Sequence, residues 1–310
     1  MLNKIKMKEF SKIYSTNIIQ YARFFLALSL FITLTLTPFT DLFPAFHIEK
    51  MRTNVRELSF LNYYLWFENL RTPYYITLAI LVFVMSGFYA RFTGLLHWIA
   101  TYSTFYTMFI IEGGDQISVI ITFLLFLITL FDSRLNSWSV NKKKIIINKY
   151  FLYFSYTTFF VIQLQMSLLY LNAGASKFSV SEWIDGTAIY YWFNNNIFGA
   201  PDIIKSSIGF LFENKYTVSL INWGVLLIEI MLFVALFLEQ KYKYLLFIFA
   251  FIFHFLIFLI HGLGTFWLSM TGCLILYLFN PTISFKENIK AVFYSTSALI
   301  SNKSNFVIKT

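Results

Sequence analysis

Apolar residues in this chain run together instead of alternating with polar ones. Several runs are about 17–20 residues long, the length at which an α-helix crosses the hydrocarbon core of a bilayer. Read in order, they predict a first helix from near Ile18 through Phe24–Leu36, a second over Tyr75–Tyr89 and a third over Leu95–Ile110. Further helices are expected over Ile117–Phe131, Tyr150–Ala175, Leu220–Leu238, Tyr244–Ile260 and Gly264–Phe279, the last stopped by Asn280-Pro281. A mixed loop from Thr40 to Thr72 is expected to carry a surface helix over Phe60–Leu70. The piece Thr187–Phe193 is too short to span and predicts an interfacial or re-entrant segment near 183–198. The fold class is therefore all-α, a polytopic membrane protein of about eight transmembrane helices. It divides into a basic N-terminus (1–17), a helical membrane domain (18–281) and a basic tail (282–310), expected to be mobile. Thr37-Pro38-Phe39 offers no small-x-small cleavage pattern, so the first helix is expected to be retained.

Composition agrees with the pattern. The chain is 58% apolar and 13% charged, against about 45–50% and about 25% for a soluble domain. Aromatic residues make up 21%, many of them suited to membrane interfaces. The net charge of +9 lies in short connectors between apolar runs. That placement points to membrane orientation and excludes nucleic acid as the partner. With the N-terminus inside, inner connectors carry 17 Lys and Arg and outer ones 7. Lys142, Lys143 and Lys144 fall inside, and Glu112 and Asp115 outside. Both termini are then cytoplasmic, in a bacterial cell membrane. The one cysteine, Cys273, lies in an apolar run and reads as a small core residue.

Ionisable groups inside or at the edge of such helices are costly and usually functional. Lys177 ends the fifth helix, His254 and His261 share a face of the seventh, and Glu229 lies midway along the sixth. Asp115 sits in the acidic connector Glu112-Gly113-Gly114-Asp115-Gln116. Topology brings all five toward the outer half of the bundle. Each also has a plain structural reading: Lys177 as a snorkelling anchor, Asp115 as a helix cap, His254 and His97 as hydrogen-bonded core histidines, Glu229 as half of an ion pair. Gln163, Gln165, Ser167 and Asn172 on the fifth helix are expected to be buried against other helices. The four histidines have no metal-ligand spacing, so no metal is expected. Hydrolase and nucleotide-binding motifs are absent from the sequence.

Ala173-Gly174-Ala175-Ser176-Lys177-Phe178, followed by Trp183-Ile184-Asp185-Gly186, resembles a lysine segment of the vitamin K-dependent gamma-carboxylase membrane domain, the wider HTTM group. Trp138-Ser139-Val140, and His254 with Gly264 and Phe266, extend the resemblance over roughly Arg23 to Pro281. Among that group the chain looks most like the sporulation-delaying protein B family. The resemblance implies a membrane protein needed for maturation of a secreted peptide toxin, with the toxin precursor, a small companion protein and membrane lipid as partners. From the carboxylase it implies a site of Lys177 as base, His254 assisting and Asp115 near them. Asn172, Glu112, Trp183, Asp185, Glu229 and His261 would support that site, and a reduced quinone would be its cofactor. The carboxylase has a histidine where Asp115 stands, and an aspartate beside Lys177 opposes a base role. Two further readings stay open: a quinone-linked or carboxylase-like membrane enzyme, and a peptide transporter or immunity protein. Transporters of this size often show inverted repeats, and no internal repeat is visible.

The topology has a direct test. A reporter fused after Asn141 is expected to read cytoplasmic and one at Gly114 external; the reverse pattern refutes the arrangement.

Overall fold

A computed structural model of the chain describes residues 9–53, 59–140 and 148–300. Lys4, Lys6, Lys8, Lys142, Lys143, Lys144 and the tail from residue 301 lie outside the described residues. Within them all extended regular structure is helical, with one isolated bridge between Phe88 and Asn136. The principal helices are α1 (Ile18–Leu36), α2 (Arg71–Ser86), α3 (Ala90–Thr107), α4 (Gly113–Thr129), α5 (Lys149–Lys177), α6 (Lys215–Val234), α7 (Gln240–His261), α8 (Gly264–Leu278) and α9 (Phe285–Ile300). Four are long and apolar enough to cross a membrane: α1, α5, α7, and α6 with its closing turn to Phe237. Helices α2, α4 and α8 are apolar but shorter. The chain is thus a helical membrane protein.

Two expectations are corrected. Phe60–Leu70 is not a surface helix but two 3₁₀ turns, Ser59–Leu61 and Tyr63–Trp66. Asn62 between them accepts from the Tyr64 amide (3.1 Å) and donates to Thr107 Oγ1 (3.0 Å). Side-chain bonds of this kind compete with helix formation. Tyr63 and Tyr64 are buried and both hydrogen-bond Thr77, so the segment is part of a core. The start of the expected tail is also ordered, as α9. Buried Asn288 closes it by accepting from the Asn280 amide (2.8 Å) and from Tyr244 Oη (3.0 Å).

The chain forms two compact units. The first comprises Met1–Ile162, Leu268–Leu276 and Pro281–Phe285; the second comprises Gln163–Trp267, Tyr277–Asn280 and Lys286–Thr310. In the first, α1 packs on α2 and α4, and α3 packs between α2 and α4 in the chain of contacts. The inward face of α3 carries Thr93, His97, Thr101, Thr104 and Thr107 at three- and four-residue spacing, all buried. Thr101, Thr104 and Thr107 donate to carbonyls one turn back on their own helix (2.7–2.8 Å), so they carry hydroxyls into an apolar interior without orphaning them. The connector after α4 is held by Arg134. It pairs with Asp132 (2.7 Å) and donates to the carbonyls of Thr16 (2.5 Å) and Ser139 (3.0 Å). Trp138 of the Trp-Ser-Val element donates to Met85 O (3.0 Å) and packs over Gly87.

In the second unit, α6 packs against α7, and the short helices Ala188–Phe193 and Phe210–Glu213 lie on α6. The apolar contacts include Phe193 stacked on Phe212 at 3.7 Å.

Two glycines define close approaches in the first unit. Gly87 has φ +77°, and a Cβ there would lie 2.5 Å from Trp138 Cδ1. A Cβ on Gly94 would lie 2.1 Å from Thr129 Oγ1. Gly87→Ala and Gly94→Ala are each expected to destabilise the detergent-solubilised protein by about 1–3 kcal/mol, seen as a lower thermal midpoint. Gly224→Ala has open space at its Cβ and is expected to leave the midpoint unchanged or raise it, because alanine favours the helix.

Candidate functional site: an ion pair in an apolar cavity

On α5, Gln163, Ser167, Tyr170, Gly174 and Lys177 follow one another at steps of four and three. They therefore share one face. On α6, Val218, Asn222, Leu226 and Glu229 do the same and are buried. These two stripes, with α7, build the site within the second unit.

Lys177 Nζ lies 2.7 Å from Glu229 Oε1 and donates to the carbonyl of Ala173 at 3.2 Å. The side chain thus turns back along its own helix by one turn. A snorkelling lysine at a helix C-terminus would extend away from it. The ammonium also lies 5.1 Å from the centroid of the Trp183 ring. Gly174 faces α6 here: a Cβ there would stand 3.7 Å from Glu229 Cβ, an ordinary van der Waals contact. Glu229 is 5% exposed, and its second oxygen, Oε2, is buried with no described partner.

The pair stands in the wall of a cavity of about 730 Å³. Ser176 and His261 are its other polar lining groups; most of the remainder is apolar, including Trp183, Trp192, Phe193, Phe198, Phe212 and Ile257. Five of these six come from, or pack on, the aromatic segment after Lys177. That segment is anchored at three points. Asn222 Nδ2 donates to the Trp183 carbonyl (3.0 Å), Gly186 turns the chain at φ +76° against Ser219 and Trp223, and His261 Nδ1 donates to the Phe198 carbonyl (2.6 Å). The segment thus supplies Trp183, Trp192, Phe193 and Phe198 to the cavity wall, while its Tyr190, Tyr191 and Ile197 are exposed.

His254 is 3% exposed and hydrogen-bonds Tyr170 Oη through Nε2 at 3.0 Å. It is not a lining group, although its neighbours Phe253, Leu256 and Ile257 are. Lys177, Glu229, Trp183 and His261 are brought together at the cavity. Asp115 and Glu112 lie in the first unit, where they form a reciprocal cap on α4 with Asp115 accepting from the Glu112 amide at 3.0 Å. The carboxylate bonded to Lys177 is that of Glu229. Asn172 and Asp185 are exposed. Asn172 was expected to be buried; it lies off the 163–167–170–174–177 stripe, so helix periodicity turns it outward.

Sequence reasoning missed Tyr170 and Asn222. Both were accessible from spacing: Tyr170 is seven residues before Lys177 and Asn222 seven before Glu229, two helical turns in each case. Among the described residues no cluster of three His, Cys, Asp or Glu could hold a metal ion.

Fold and site together define an all-helical membrane protein with a Lys–Glu pair, its carboxylate buried and its ammonium half-buried, at an apolar cavity. The chain is 34% identical over 279 residues to YitO, an uncharacterized protein of Bacillus subtilis (strain 168), covering 87% of this chain and 88% of that one. It is 34% identical over 206 residues to the sporulation-delaying protein SdpB of the same organism, covering 66% of this chain and 62% of that one. The chain belongs to the YitO family, and the second likeness supports an SdpB-like grouping. No family model and no solved structure matches it.

The ion pair predicts a coupled stability effect. Glu229→Ala leaves a largely buried ammonium and Lys177→Ala a buried carboxylate; each is expected to destabilise the protein, by up to about 3 kcal/mol. Lys177 is 20% exposed, which places its share at the lower end. The double variant is expected to be less destabilised than the sum by about 0.5–3 kcal/mol. Additive losses in thermal unfolding would show the pair to be uncoupled.

Proposed function

We propose that this protein acts in a sporulation-delaying type of toxin system, in the maturation of a secreted peptide toxin. The likeness to SdpB supports the system. The observation that carries the assignment of a site is the Lys177–Glu229 pair at the polar end of a cavity of about 730 Å³ with mostly apolar walls. Such a cavity suits an apolar segment of the toxin precursor. Its walls desolvate the segment, while Lys177 and the free Oε2 of Glu229 offer a donor and an acceptor to peptide groups. A small companion protein belongs to the same reading. So do eight crossings with both termini cytoplasmic and a position of the cavity in the outer leaflet.

The carboxylase-like reading of the wider HTTM resemblance is less well supported. A base that deprotonates a reduced quinone must present its nitrogen as a proton acceptor. In this geometry Lys177 Nζ is a donor to two oxygens, Glu229 Oε1 and Ala173 O. The residues do not fit that role, and no step through a quinone is derived.

Lys177→Arg and Lys177→Ala separate a placed ammonium from a generic charge. Arginine keeps the charge but has a planar, longer fork that does not reproduce both bonds. In cells producing the precursor, with membrane levels of the variants matched, both are expected to lose peptide maturation. Full maturation in the arginine variant would remove Lys177 from the site.

A further inference from the structure

An unmet hydrogen bond at the Lys177–Glu229 pair restricts what the large cavity can take. Glu229 is the carboxylate of a salt bridge, so both its oxygens only accept. Oε1 takes the bond from Lys177 at 2.7 Å; Oε2 is buried and has no described partner. Lys177 is held in place by the Ala173 carbonyl (3.2 Å) and by the Trp183 ring, whose centroid is 5.1 Å from the ammonium. The polar wall groups beside the pair have placed their protons elsewhere. Ser176 donates to the Ala173 carbonyl (3.1 Å), and His261 Nδ1 to the Phe198 carbonyl (2.6 Å). The missing donor for Oε2 is therefore left to whatever fills the cavity.

Charge and shape then narrow the occupant. Lys177 and Glu229 cancel, and no other Lys, Arg, Asp or Glu is among the described residues lining the cavity. A carboxylate or an ammonium brought in would be a charge without a counter-charge in mostly apolar surroundings. An ammonium has three N–H groups, and those of Lys177 are met by two described acceptors, Glu229 Oε1 and Ala173 O. A group that donates and accepts at one point meets Oε2 and the remaining N–H together. A hydroxyl does so through one oxygen, and a primary amide through an oxygen and a nitrogen on the same carbon. A backbone peptide unit does not, because its C=O and N–H point to opposite sides of the trans plane.

We propose, on the reading of this cavity as the seat of an apolar segment of the precursor, that it selects an apolar chain bearing an uncharged hydroxyl or primary amide. That group donates to Glu229 Oε2 and accepts from Lys177 Nζ. On a peptide it is the side chain of a serine, threonine, asparagine or glutamine within an apolar stretch. A membrane lipid with an uncharged alcohol or amide head presents the same chemistry. A volume of about 730 Å³ lies in the range that holds one small ligand of this kind.

The full-length protein in phosphatidylcholine nanodiscs, near neutral pH, is titrated with bromine-labelled dodecanol, dodecanamide, dodecane, dodecanoate and dodecylammonium. Quenching of tryptophan fluorescence is read at equal membrane loading, and the part lost in Trp192→Phe is the signal from the cavity wall. The alcohol and the amide are expected to act at concentrations about tenfold lower than the hydrocarbon, the scale of one buried hydrogen bond gained, and lower than either charged probe. Glu229→Gln sets an amide nitrogen where Oε2 accepts and is expected to remove the preference. If that variant does not fold, the probe series on the unaltered chain decides. Hydrocarbon acting at the same concentration as the alcohol would leave Oε2 to water and overturn the proposal. So would a charged probe that binds as tightly as the alcohol, or a preference that survives in Glu229→Gln. Mass spectrometry of material carried by protein purified from cells with and without the precursor separates the sources. A peptide found only with the precursor, or an uncharged lipid alcohol or amide found in both, supports the proposal; a resident fatty acid or amine overturns it. None of these measurements reads peptide maturation, so the preference for an uncharged group is decided separately from the toxin-system reading.

Discussion

An ionisable or hydrogen-bonding side chain on an apolar helix has no water to turn to, so its partner must come from the protein. Each unit is organised by that constraint. In the second, it sets the contact of α5 with α6, where Glu229 reaches Lys177 at 2.7 Å. In the first, it sets the inward face of α3, whose threonines discharge their hydroxyl protons on their own helix. The same constraint explains buried Arg23, which donates to Gln20 Oε1 (3.0 Å) and Thr93 Oγ1 (2.7 Å). Those neutral partners come from α1 itself and from α3, so the guanidinium couples the two helices.

Helix positions were legible because long apolar runs with charged ends leave little else open. All eight expected segments are helical, with boundaries moved by a few residues: α6 begins at Lys215, where Asn214 caps it, and not at Leu220. Over Phe60–Leu70, where a surface helix was expected, the deciding residue is Asn62. Its side chain satisfies the backbone locally and breaks the helix. The order in 285–300 was masked by a polar composition; α9 is held by buried Asn288, by Val292 buried one turn further on, and by Phe285 stacked on Tyr21 at 3.7 Å.

The candidate site was legible in part. Lys177 and Glu229 stood out as charges in apolar surroundings, and His254 as a polar residue two turns inside a helix. Their pairing was not legible, because topology orders residues by depth and not by angle around the bundle. Angular information was present in the seven-residue spacings, but it needs both helices at once. It then selects the face shared by Tyr170 and Lys177, and the one shared by Asn222 and Glu229. Asn172 shows the converse: polar residues on one helix need not share a face, and composition alone cannot separate them.

The energetics of the Lys177–Glu229 pair bear on why it is there. A buried ion pair often gives no more stability than well-packed apolar residues of the same volume, because desolvating both charges offsets their attraction. Here the pair is also incompletely satisfied, with Glu229 Oε2 buried and without a described partner. An unmade hydrogen bond at a buried carboxylate costs about 1–3 kcal/mol or more. Packing alone gives no reason to keep that deficit at the wall of a large apolar cavity. An incoming group that donates to Oε2 relieves it, whereas one that only accepts a bond from Lys177 leaves it in place. The deficit therefore favours occupancy by a molecule with an apolar body and at least one N–H or O–H donor over a purely hydrocarbon guest, which would leave Oε2 as it is.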